Sequence, residues 1–418
     1  MINLFFFDEY NSSLQNGIGT YRDILLPQLS LFDIVSVNLI SLNHYTNIPC
    51  VKALPYKGSQ ICVPFQGEGG WRENGNNVSI ILSNFIEDSY NNIFMLNHSP
   101  ASKFIQALKK KFPKTKIIFT VHDQGWGSAL LGDSKLLHEI WIKRRKPTIV
   151  SERTYNNVIS YCQSEIDIYN LVDRVMSISP FMHSVMLNIY SVDKQKAVTV
   201  SNGIEPLKGR RLSKNSARKK LGLINDEELM IFAGRPVRHK GIIPLLIAMR
   251  TLMLQRPKLR CIMCGSLTGF ADFIKFITPV ASRLIFTGQI PRSDLHTWYA
   301  AADIGIMPSY SEPFGYSALE MINEGLPVVV SDRMALSDIY KDKVNAFVAP
   351  IGSNVLDFKI FAKNIAKAIN RALDAKISIR QKMRKTNRKL IATQLSSVAM
   401  ANGYLKIFQD MTSHLVSI

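Results

Sequence analysis

Apolar residues in this chain follow two alternating patterns. Short continuous runs have the length of buried strands, and clear examples are INLFFF at 2–7, VSVNLI at 35–40, KIIFTVHD at 116–123 and RVMSIS at 174–179. Longer stretches between the runs carry apolar residues at helical spacing, as in Ile18, Tyr21, Ile24 and Leu25. Region 41–77 is interrupted by Pro and Gly, which favours irregular hairpins or an extended loop. The regular alternation elsewhere predicts βαβ units and a parallel sheet.

The alternation restarts in the second half with LMIFAG at 229–234. Between the halves, the run from Lys208 to Lys220 has seven basic residues in thirteen and no aromatic residue. A solvated linker fits this run better than a nucleic-acid-binding segment, in which aromatic residues are interleaved with the basic ones. The pattern predicts two Rossmann-like doubly wound α/β domains. The predicted parts are residues 1–205, a basic linker at 206–222, residues 223–395, and an amphipathic helix at 396–418 that packs back on the N-terminal domain.

The stretch from Ser309 to Asp332 combines a loop, a short helix and a buried strand. The helix is expected to begin between Phe314 and Ser317 and to end at Gly325, which places its free N–H groups and positive dipole end on the PFGYS turn. Such a turn is a ready anion site. Because carboxylates would repel an anion, Glu312 and Glu320 fit better as partners of hydroxyl groups on either side of it. The alternative is an ordinary loop and helix with solvated acids.

Two cations follow the first strand of the second half. In GRPVRHKG, Arg235 and Lys240 come at the carboxyl end of LMIFAG, where ligands bind in parallel α/β sheets. Arg by its fork and Lys as a point charge both suit a diphosphate. The alternative is a purely surface role.

Two further candidates lie in the first half. His122 and Asp123 follow the strand run at 116–123, so His122 is either a site residue or a capped loop histidine. Gly17 and Gly19 open the first helical pattern and suggest a phosphate-facing turn. Their spacing is too short for a dinucleotide-binding fingerprint.

Composition adds a constraint on partners and location. A chain of 418 residues with 46% hydrophobic and 20% charged residues suggests two ordinary globular domains. The formal net charge of +19 implies an anionic partner, whether a nucleotide, a nucleic acid or a membrane surface. No apolar run approaches the length of a spanning helix, and the apolar start lacks the basic stretch of a signal peptide. We therefore expect a cytoplasmic protein.

The five cysteines are scattered and suggest no disulfide framework. Cys261 and Cys264 form a CxxC spacing, but they fall in a predicted strand, where positions three apart point to opposite faces. We therefore expect no metal or redox site there.

Together, these motifs resemble the retaining GT-B glycosyltransferases of family 4. The matching segments are PFGYSALE with its E-x7-E spacing, GRPVRHKG, and FTGQIPRSDLHTWYAAADIGIMPS. The resemblance is strongest in the second half. In the first half, NGIGTY, the HD at 122–123 and VSNGIE are looser matches, and Gly17-Ile18-Gly19 departs from the usual glycine loop of the family.

The resemblance implies two domains facing each other across a cleft, the first on the acceptor side and the second binding a nucleotide-sugar. In that arrangement, Glu320 would hold the ribose, Glu312 the donor sugar, and Arg235 and Lys240 the leaving diphosphate. His122 would orient donor or acceptor. The other donor-binding residues would be Gly17, Gly19, Gly234, Ile290 near the base, and Phe314, Gly315, Tyr316 and Ser317 at the distal phosphate.

The implied reaction is metal-independent sugar transfer with retention, in which the leaving phosphate helps to take the acceptor proton. No cofactor is expected, and no Asp-x-Asp at a strand end suggests a metal. The acceptor would be a glycan, a lipid-linked molecule or a protein, and the basic runs suggest peripheral contact with anionic membrane. Alternatives are a nucleotide-sugar epimerase of the same fold and a non-catalytic binding relative with a basic surface.

Overall fold

A computed structural model of the chain describes residues 1–10, 17–207, 209 and 211–413. The chain divides into two units. The N-terminal unit contains Met1–Trp126, Ser134–Glu205 and the residues from Gln394 onward, and the C-terminal unit contains Gly127–Asp133 and Pro206–Thr393. The last helix therefore belongs to the N-terminal unit. No pattern in the sequence predicted that Gly127–Asp133 would join the other unit.

The N-terminal unit is built on one sheet with the strand order β3-β4-β2-β1-β5-β6-β7-β8 in its described residues. All neighbours are parallel except β3, which runs antiparallel to β4. The strands are β1 (Ile2–Glu9), β2 (Val35–His44), β3 (Cys50–Ala53), β4 (Gly58–Pro64), β5 (Asn92–Leu96), β6 (Lys116–Val121), β7 (Arg174–Ser177) and β8 (Ala197–Thr199).

The C-terminal unit has a second sheet with the order β11-β10-β9-β12-β13-β14, parallel throughout its described strands. Its strands are β9 (Glu228–Ala233), β10 (Leu259–Cys264), β11 (Leu284–Gly288), β12 (Ile304–Met307), β13 (Val328–Ser331) and β14 (Phe347–Ala349). The predicted fold class of two parallel-sheet α/β units is confirmed.

Helices connect the strands in both units. Those of the first 205 residues are α1 (Gly17–Leu29), α2 (Gly70–Glu73), α3 (Gly75–Ser83), α4 (Ser102–Lys111), α5 (Gly125–Ala129), α6 (Ser134–Leu137), a π-helical turn (His138–Ile142), α7 (Glu152–Leu171) and α8 (Pro180–Asn188).

The later helices lie mostly in the C-terminal unit. They are α9 (Lys214–Lys220), a 3₁₀ turn (Arg238–Lys240), α10 (Ile242–Gln255), α11 (Leu267–Ala271), α12 (Ile274–Ile277), a second 3₁₀ turn (Thr278–Arg283), α13 (Arg292–Ala301), α14 (Tyr316–Asn323), α15 (Ala335–Ile339), α16 (Phe358–Leu373), α17 (Ile377–Thr393) and α18 (Ser397–Thr412).

The continuous apolar run of β1 reflects burial on both faces of its sheet, as expected for parallel strands. Phe5 and Phe7 contact the ring of Phe94 on one face, with ring centroids 5.5 and 5.2 Å apart. Phe6 contacts Tyr21 of α1 on the other face, at 5.9 Å. The run therefore forms the centre of the N-terminal core.

The basic run from Lys208 to Lys220 differs from the predicted solvated linker. Its second half is helix α9, and Arg218 on this helix is 1% exposed. The Arg218 guanidinium donates to Asp303 at 2.8 Å and to the carbonyl of Ala301 at 2.9 Å. A buried cation is tolerated when its donors are satisfied in this way. Helix α9 is therefore packed into the C-terminal unit and is not a solvated spacer.

Each sheet has a point where the strand order reverses. In the N-terminal unit β1 lies between β2 and β5, and in the C-terminal unit β9 lies between β10 and β12. The crevice outside the carboxyl ends of strands at such a point is the usual ligand site of open α/β sheets. We therefore expect ligand-binding residues in the loops that follow β1, β5, β9 and β12.

Candidate active site

The loops after β9 and β12 contact each other through their backbones at the point where the strand order of the C-terminal sheet reverses. Gly241 follows the 3₁₀ turn with a φ of 74°, and a Cβ atom there would lie 1.9 Å from the carbonyl oxygen of Pro308. Only glycine fits this close approach. The backbone N–H of Tyr310 also donates to the carbonyl of His239, at 2.8 Å. This contact brings the GRPVRHKG segment to the loop that carries Glu312.

Lys240 and Glu312 form an ion pair as a result. The Lys240 Nζ lies 2.6 Å from Glu312 Oε2, and the two side chains are 16% and 10% exposed. The Ser309 hydroxyl also donates to Glu312 Oε2, at 3.3 Å. Sequence analysis assigned the cation and the carboxylate to different parts of a ligand, and the structure places them in contact with each other.

The surroundings of this pair are positively charged. Arg235 is exposed at the carboxyl end of β9, next to Gly234, and within the described chain no carboxylate pairs with it. Burial, followed by the charges of Lys240 and Arg235, lowers the pKa of His239 to about 4. An anion bound here would meet two cations and an uncharged histidine at neutral pH.

Helix α14 begins beside the ion pair, within the range that the sequence predicted. Gly315 precedes it with a φ of 98°, and a Cβ atom there would lie 3.0 Å from Leu336 Cδ2 and 3.3 Å from Glu312 Cγ. Phe314 is buried and packs edge-on against Tyr316, with ring centroids 5.1 Å apart. Ser317 lies in the first turn. The positive end of the helix dipole therefore falls next to Glu312 and Lys240.

Glu320 lies one turn further along α14 and is largely buried. Arg292 Nε donates to one of its carboxylate oxygens at 3.0 Å, and the Tyr299 hydroxyl donates to the other at 3.1 Å. Both donors come from α13, and Ile290 lies just before this helix in the loop after β11. Sequence analysis did not single out Arg292 or Tyr299, although their i, i+7 spacing places them on one face of a helix.

His122 lies at the carboxyl end of β6 in the N-terminal unit. Burial, and then the neighbouring His98, lower the pKa of His122 to about 3. The ring is therefore neutral at pH 7, and its Nε2 donates to Asn97 Oδ1 at 3.3 Å. This bond leaves Nδ1 as an acceptor. The Tyr21 ring packs edge-on against the imidazole at 4.5 Å.

Sequence analysis missed a charged cluster at the reversal point of the N-terminal sheet. Asp8 in β1 is buried, and its two carboxylate oxygens lie 2.9 Å from His98 Nε2 and 2.5 Å from Arg22 Nη1. The carboxylate orients the His98 ring, an arrangement suited to proton transfer. Asp8 and His98 each follow an apolar strand run, so the reasoning applied to His122 would have found them.

Gly17 and Gly19 open helix α1, as the sequence indicated, but they do not form a separate glycine turn before it. Both lie in the first turn of α1 rather than in a loop. The preceding residues, 11–16, lie outside the described part of the chain. The predicted donor contact of these glycines stays a prediction.

Cys261 and Cys264 lie in β10, as predicted, and both are buried thiols. Burial raises the pKa of both, that of Cys264 to about 11, so they are protonated at neutral pH. Across the described residues, no three His, Cys, Asp or Glu side chains are grouped closely enough to hold a metal ion. No helix in those residues is both long and apolar enough to span a membrane.

Comparison with known proteins finds glycosyltransferases that are similar in sequence to the second half of the chain. Residues 213–390 match the family model of glycosyl transferases group 1. An uncharacterized glycosyltransferase of Methanocaldococcus jannaschii, MJ1607, is 31% identical over 178 residues, which are 41% of this chain and 45% of that protein. The chain thus spans less than half the length of the curated relatives it matches.

Solved structures extend the similarity of fold over almost the whole chain. Sucrose-phosphate synthase from Thermosynechococcus elongatus has a TM-score of 0.76 with 18% identity, covering 99% of this chain and 100% of that one. Anabaena HepE in complex with UDP and glucose has a TM-score of 0.66 with 15% identity, covering 98% and 100%. The chain therefore has the fold class of the GT-B glycosyltransferases, and its residues 213–390 match the group 1 glycosyl transferases.

Proposed function

We propose that the chain is a retaining glycosyltransferase of family 4 that transfers a sugar from a nucleotide-diphosphate donor, UDP-sugar being favoured, to a glycan, lipid-linked or protein acceptor. The observation that carries this proposal is the Lys240–Glu312 pair beside the N-terminus of α14. The match of residues 213–390 to a glycosyltransferase family supports the reaction class. The UDP and glucose bound by the HepE neighbour support the donor class.

The chemistry follows from the charge that develops on the donor. Breaking the glycosyl–phosphate bond puts negative charge on the leaving diphosphate and positive charge on the sugar carbon. Arg235, Lys240 and the dipole end of α14 stabilise the leaving group electrostatically, which is the role of a metal ion in other transferases. We therefore propose a metal-independent reaction without a cofactor.

The ion pair has a specific part in this scheme. Without ligand, Lys240 is neutralised by Glu312 at 2.6 Å. A diphosphate competes for the ammonium group, and Glu312 is then available to accept hydrogen bonds from hydroxyl groups of the donor sugar. Glu320, held by Arg292 and Tyr299, has its carboxylate fixed in one orientation to receive the ribose hydroxyls.

His122 acts as an uncharged group in this proposal. Because its pKa is about 3, His122 is uncharged at pH 7. It therefore does not repel the positive charge that develops on the sugar carbon, and it does not serve as a protonated acid. It orients donor or acceptor. The acceptor attacks the same face from which the diphosphate leaves, and the leaving phosphate takes the acceptor proton, which gives retention.

The first experiment is a thermal-shift screen of the full chain against UDP, GDP, ADP and their sugars. A ligand present at 100 times its Kd stabilises the folded state by about 2.7 kcal/mol, a shift that is readily measured. UDP and UDP-sugars are expected to stabilise the protein most. Incubation of UDP-sugars without acceptor tests the epimerase alternative, since epimerised donor would contradict glycosyl transfer.

A second experiment measures turnover once a donor is known. Glu312→Gln and Lys240→Ala should each lower turnover by about ten- to a hundredfold while the fold is kept. Near-normal turnover in both variants would remove this assignment of the site.

We also propose a cytoplasmic location with peripheral binding at the inner face of an anionic membrane. The segment Ile142–Ile149 of the N-terminal unit carries four consecutive basic residues between two isoleucines that are 45% and 53% exposed. Exposed apolar side chains next to cations suit an anionic lipid surface. Co-sedimentation with phosphatidylglycerol vesicles, but not phosphatidylcholine vesicles, is expected. Binding that is independent of salt and lipid charge would contradict it. Specific nucleic-acid binding is not expected.

A further inference from the structure

Three neighbouring strands of the N-terminal sheet each end in an aromatic residue. Phe65 follows β4, Tyr45 follows β2 and Tyr10 follows β1, and these strands are adjacent in the order β4-β2-β1. Tyr45 is 69% exposed and Phe65 is 63% exposed. Large aromatic side chains that stay in water at the ligand-binding end of a sheet are candidates for contact with a ligand.

The Tyr45 ring is supported rather than free. It stacks on the ring of His44 with centroids 4.3 Å apart, and Tyr10 contacts His44 at 4.5 Å and Tyr45 at 5.4 Å. The Lys52 ammonium lies 4.9 Å from the Tyr45 ring centre and donates to its hydroxyl at 3.3 Å. Burial, followed by the charge of Lys52, lowers the pKa of His44, so the supporting ring is neutral at pH 7. The rings form a preorganised surface.

Polar groups flank these rings. Arg72 donates to both carboxylate oxygens of Glu9, at 3.3 and 3.2 Å, and Asn43 donates to Glu9 at 3.1 Å. Asn43 has a φ of 52°, and its buried Oδ1 has no hydrogen-bond partner among the described residues. A Cβ atom on Gly70 would lie 3.5 Å from the Asn43 amide and 3.8 Å from the Phe65 ring. An unusual backbone conformation with an unsatisfied acceptor is typical of a ligand site.

This combination matches the chemistry of a sugar. A pyranose ring presents an apolar C–H face, which packs on an aromatic ring, and a rim of hydroxyl groups, which bond to amide, carboxylate and guanidinium groups. An acyl chain would desolvate the Arg72–Glu9 ion pair and would leave the Asn43 Oδ1 atom without a donor, at a cost in free energy. We propose that Tyr10, Tyr45 and Phe65 form a subsite for a saccharide unit of the acceptor.

The position of this subsite indicates the length of the acceptor. Three strand-to-strand steps separate β2 from β6, the strand that precedes His122. At about 4.8 Å per step, the strand ends lie about 14 Å apart, which is more than one sugar ring spans. The inference rests on the proposed function, in which His122 marks the reacting end. The acceptor is then an oligosaccharide or longer glycan chain. Its reacting end lies at His122, and a sugar unit further from that end packs on Tyr45.

The test measures saccharide binding by the full chain. Cellotetraose, chitotetraose and a mannotetraose serve as probes in titration calorimetry, with UDP as a separate ligand. The wild type is expected to bind at least one tetrasaccharide, and Tyr45→Ala and Phe65→Ala should weaken that binding at least tenfold. Their UDP affinity should stay at the wild-type value, because the proposed nucleotide contacts belong to the C-terminal unit. Phe65→Ala should also keep the wild-type melting temperature, whereas Tyr45→Ala should lower it only slightly through the lost stacking on His44.

Tyr90→Ala is the matched control. Tyr90 is also an exposed aromatic residue of the N-terminal unit, at 51%, but it lies just before β5, at the opposite end of the sheet. This variant should bind tetrasaccharide like the wild type. Equal loss in Tyr90→Ala, or full binding by both Tyr45→Ala and Phe65→Ala, would overturn the subsite.

The two proposals fail in different ways. A wild type that binds UDP but none of the tetrasaccharides overturns the saccharide subsite and leaves the glycosyltransferase proposal in place. A wild type that binds a tetrasaccharide through Tyr45 but no nucleotide supports the subsite and overturns the proposed reaction.

Discussion

Replacing Lys240 by Met removes the cation that lies 2.6 Å from Glu312 and leaves a largely buried carboxylate with the Ser309 hydroxyl at 3.3 Å. Glu312→Gln makes the complementary change and leaves a largely buried ammonium group beside a neutral amide. The double variant removes both charges. These three proteins and the wild type form a double-mutant cycle that isolates the energy of the pair.

The size of that energy can be bounded from the geometry. At 2.6 Å and an effective dielectric constant of about 20, the Coulomb attraction is about 6 kcal/mol. Desolvation of two ions offsets several kcal/mol of this attraction, because the side chains are only 16% and 10% exposed. A net coupling energy of about 1 to 3 kcal/mol is therefore expected. Each single variant should be destabilised, and the double variant by less than the sum of the two.

Urea denaturation followed by tryptophan fluorescence measures the four free energies of unfolding. The Lys258–Asp226 pair is the matched control, because its atoms lie 2.5 Å apart but its side chains are 61% and 77% exposed. Its coupling should stay below about 1 kcal/mol, as is usual for surface pairs. If the destabilisation of the Lys240/Glu312 double variant equals the sum of the two single destabilisations within about 0.3 kcal/mol, the inference that these residues form a tightly coupled pair is refuted.

Three further predictions concern other parts of the chain. Arg218→Met should lower the free energy of unfolding in urea by about 3 to 5 kcal/mol, because it breaks the buried ion pair with Asp303 and removes the side-chain donor to the carbonyl groups of Ala301 and Asn225, and a loss below about 1 kcal/mol would contradict this. The pKa of His122, at about 3, lies below its unfolded value near 6.5, so its contribution to stability is complete above pH 6.5 and is lost as the pH falls towards 3. His122→Asn should therefore reduce the loss of stability between pH 7.5 and pH 5 by about 2 kcal/mol in parallel urea titrations, and an unchanged loss would contradict the buried neutral state. Glu320→Gln should weaken UDP binding about tenfold in calorimetry, whereas equal affinity would exclude a ribose contact.

Local patterns predicted much of the fold. The strand runs at 2–7, 116–123 and 229–234 lie in β1, β6 and β9, because continuous apolar runs of that length are buried on both faces of a parallel sheet. Helix α14 begins at Tyr316, where Gly315 can adopt the left-handed conformation that starts it. These features depend on neighbouring residues, and for that reason the sequence reveals them.

Contacts between distant residues were harder to foresee. The Asp8–His98 pair joins positions 90 apart, and its partners become neighbours only because β1 and β5 are adjacent. Likewise, Arg218 is an ordinary basic residue in sequence and becomes a buried donor only where α9 meets Asp303. For region 41–77 the sequence left irregular hairpins and an extended loop open, and the structure has the antiparallel β3–β4 hairpin; β3 is a four-residue edge strand with half-exposed side chains, which gives only a weak apolar pattern.

The division of the chain into interleaved units has a consequence for biosynthesis. Helix α18 belongs to the N-terminal unit, where the Tyr21 hydroxyl donates to that of Tyr404 at 2.7 Å, yet the residues from Gln394 are synthesised only after all of Pro206–Thr393. Pro206–Thr393 must emerge from the ribosome first, which takes about 10 to 40 s at 5 to 20 residues per second. During that interval, the first unit to be translated lacks the helix that covers Tyr21. The C-terminal unit, although most of it is translated later, can therefore complete its core before the N-terminal unit does. If translation stalls or terminates within Pro206–Thr393, an apolar face of α1 stays exposed and can bind chaperones.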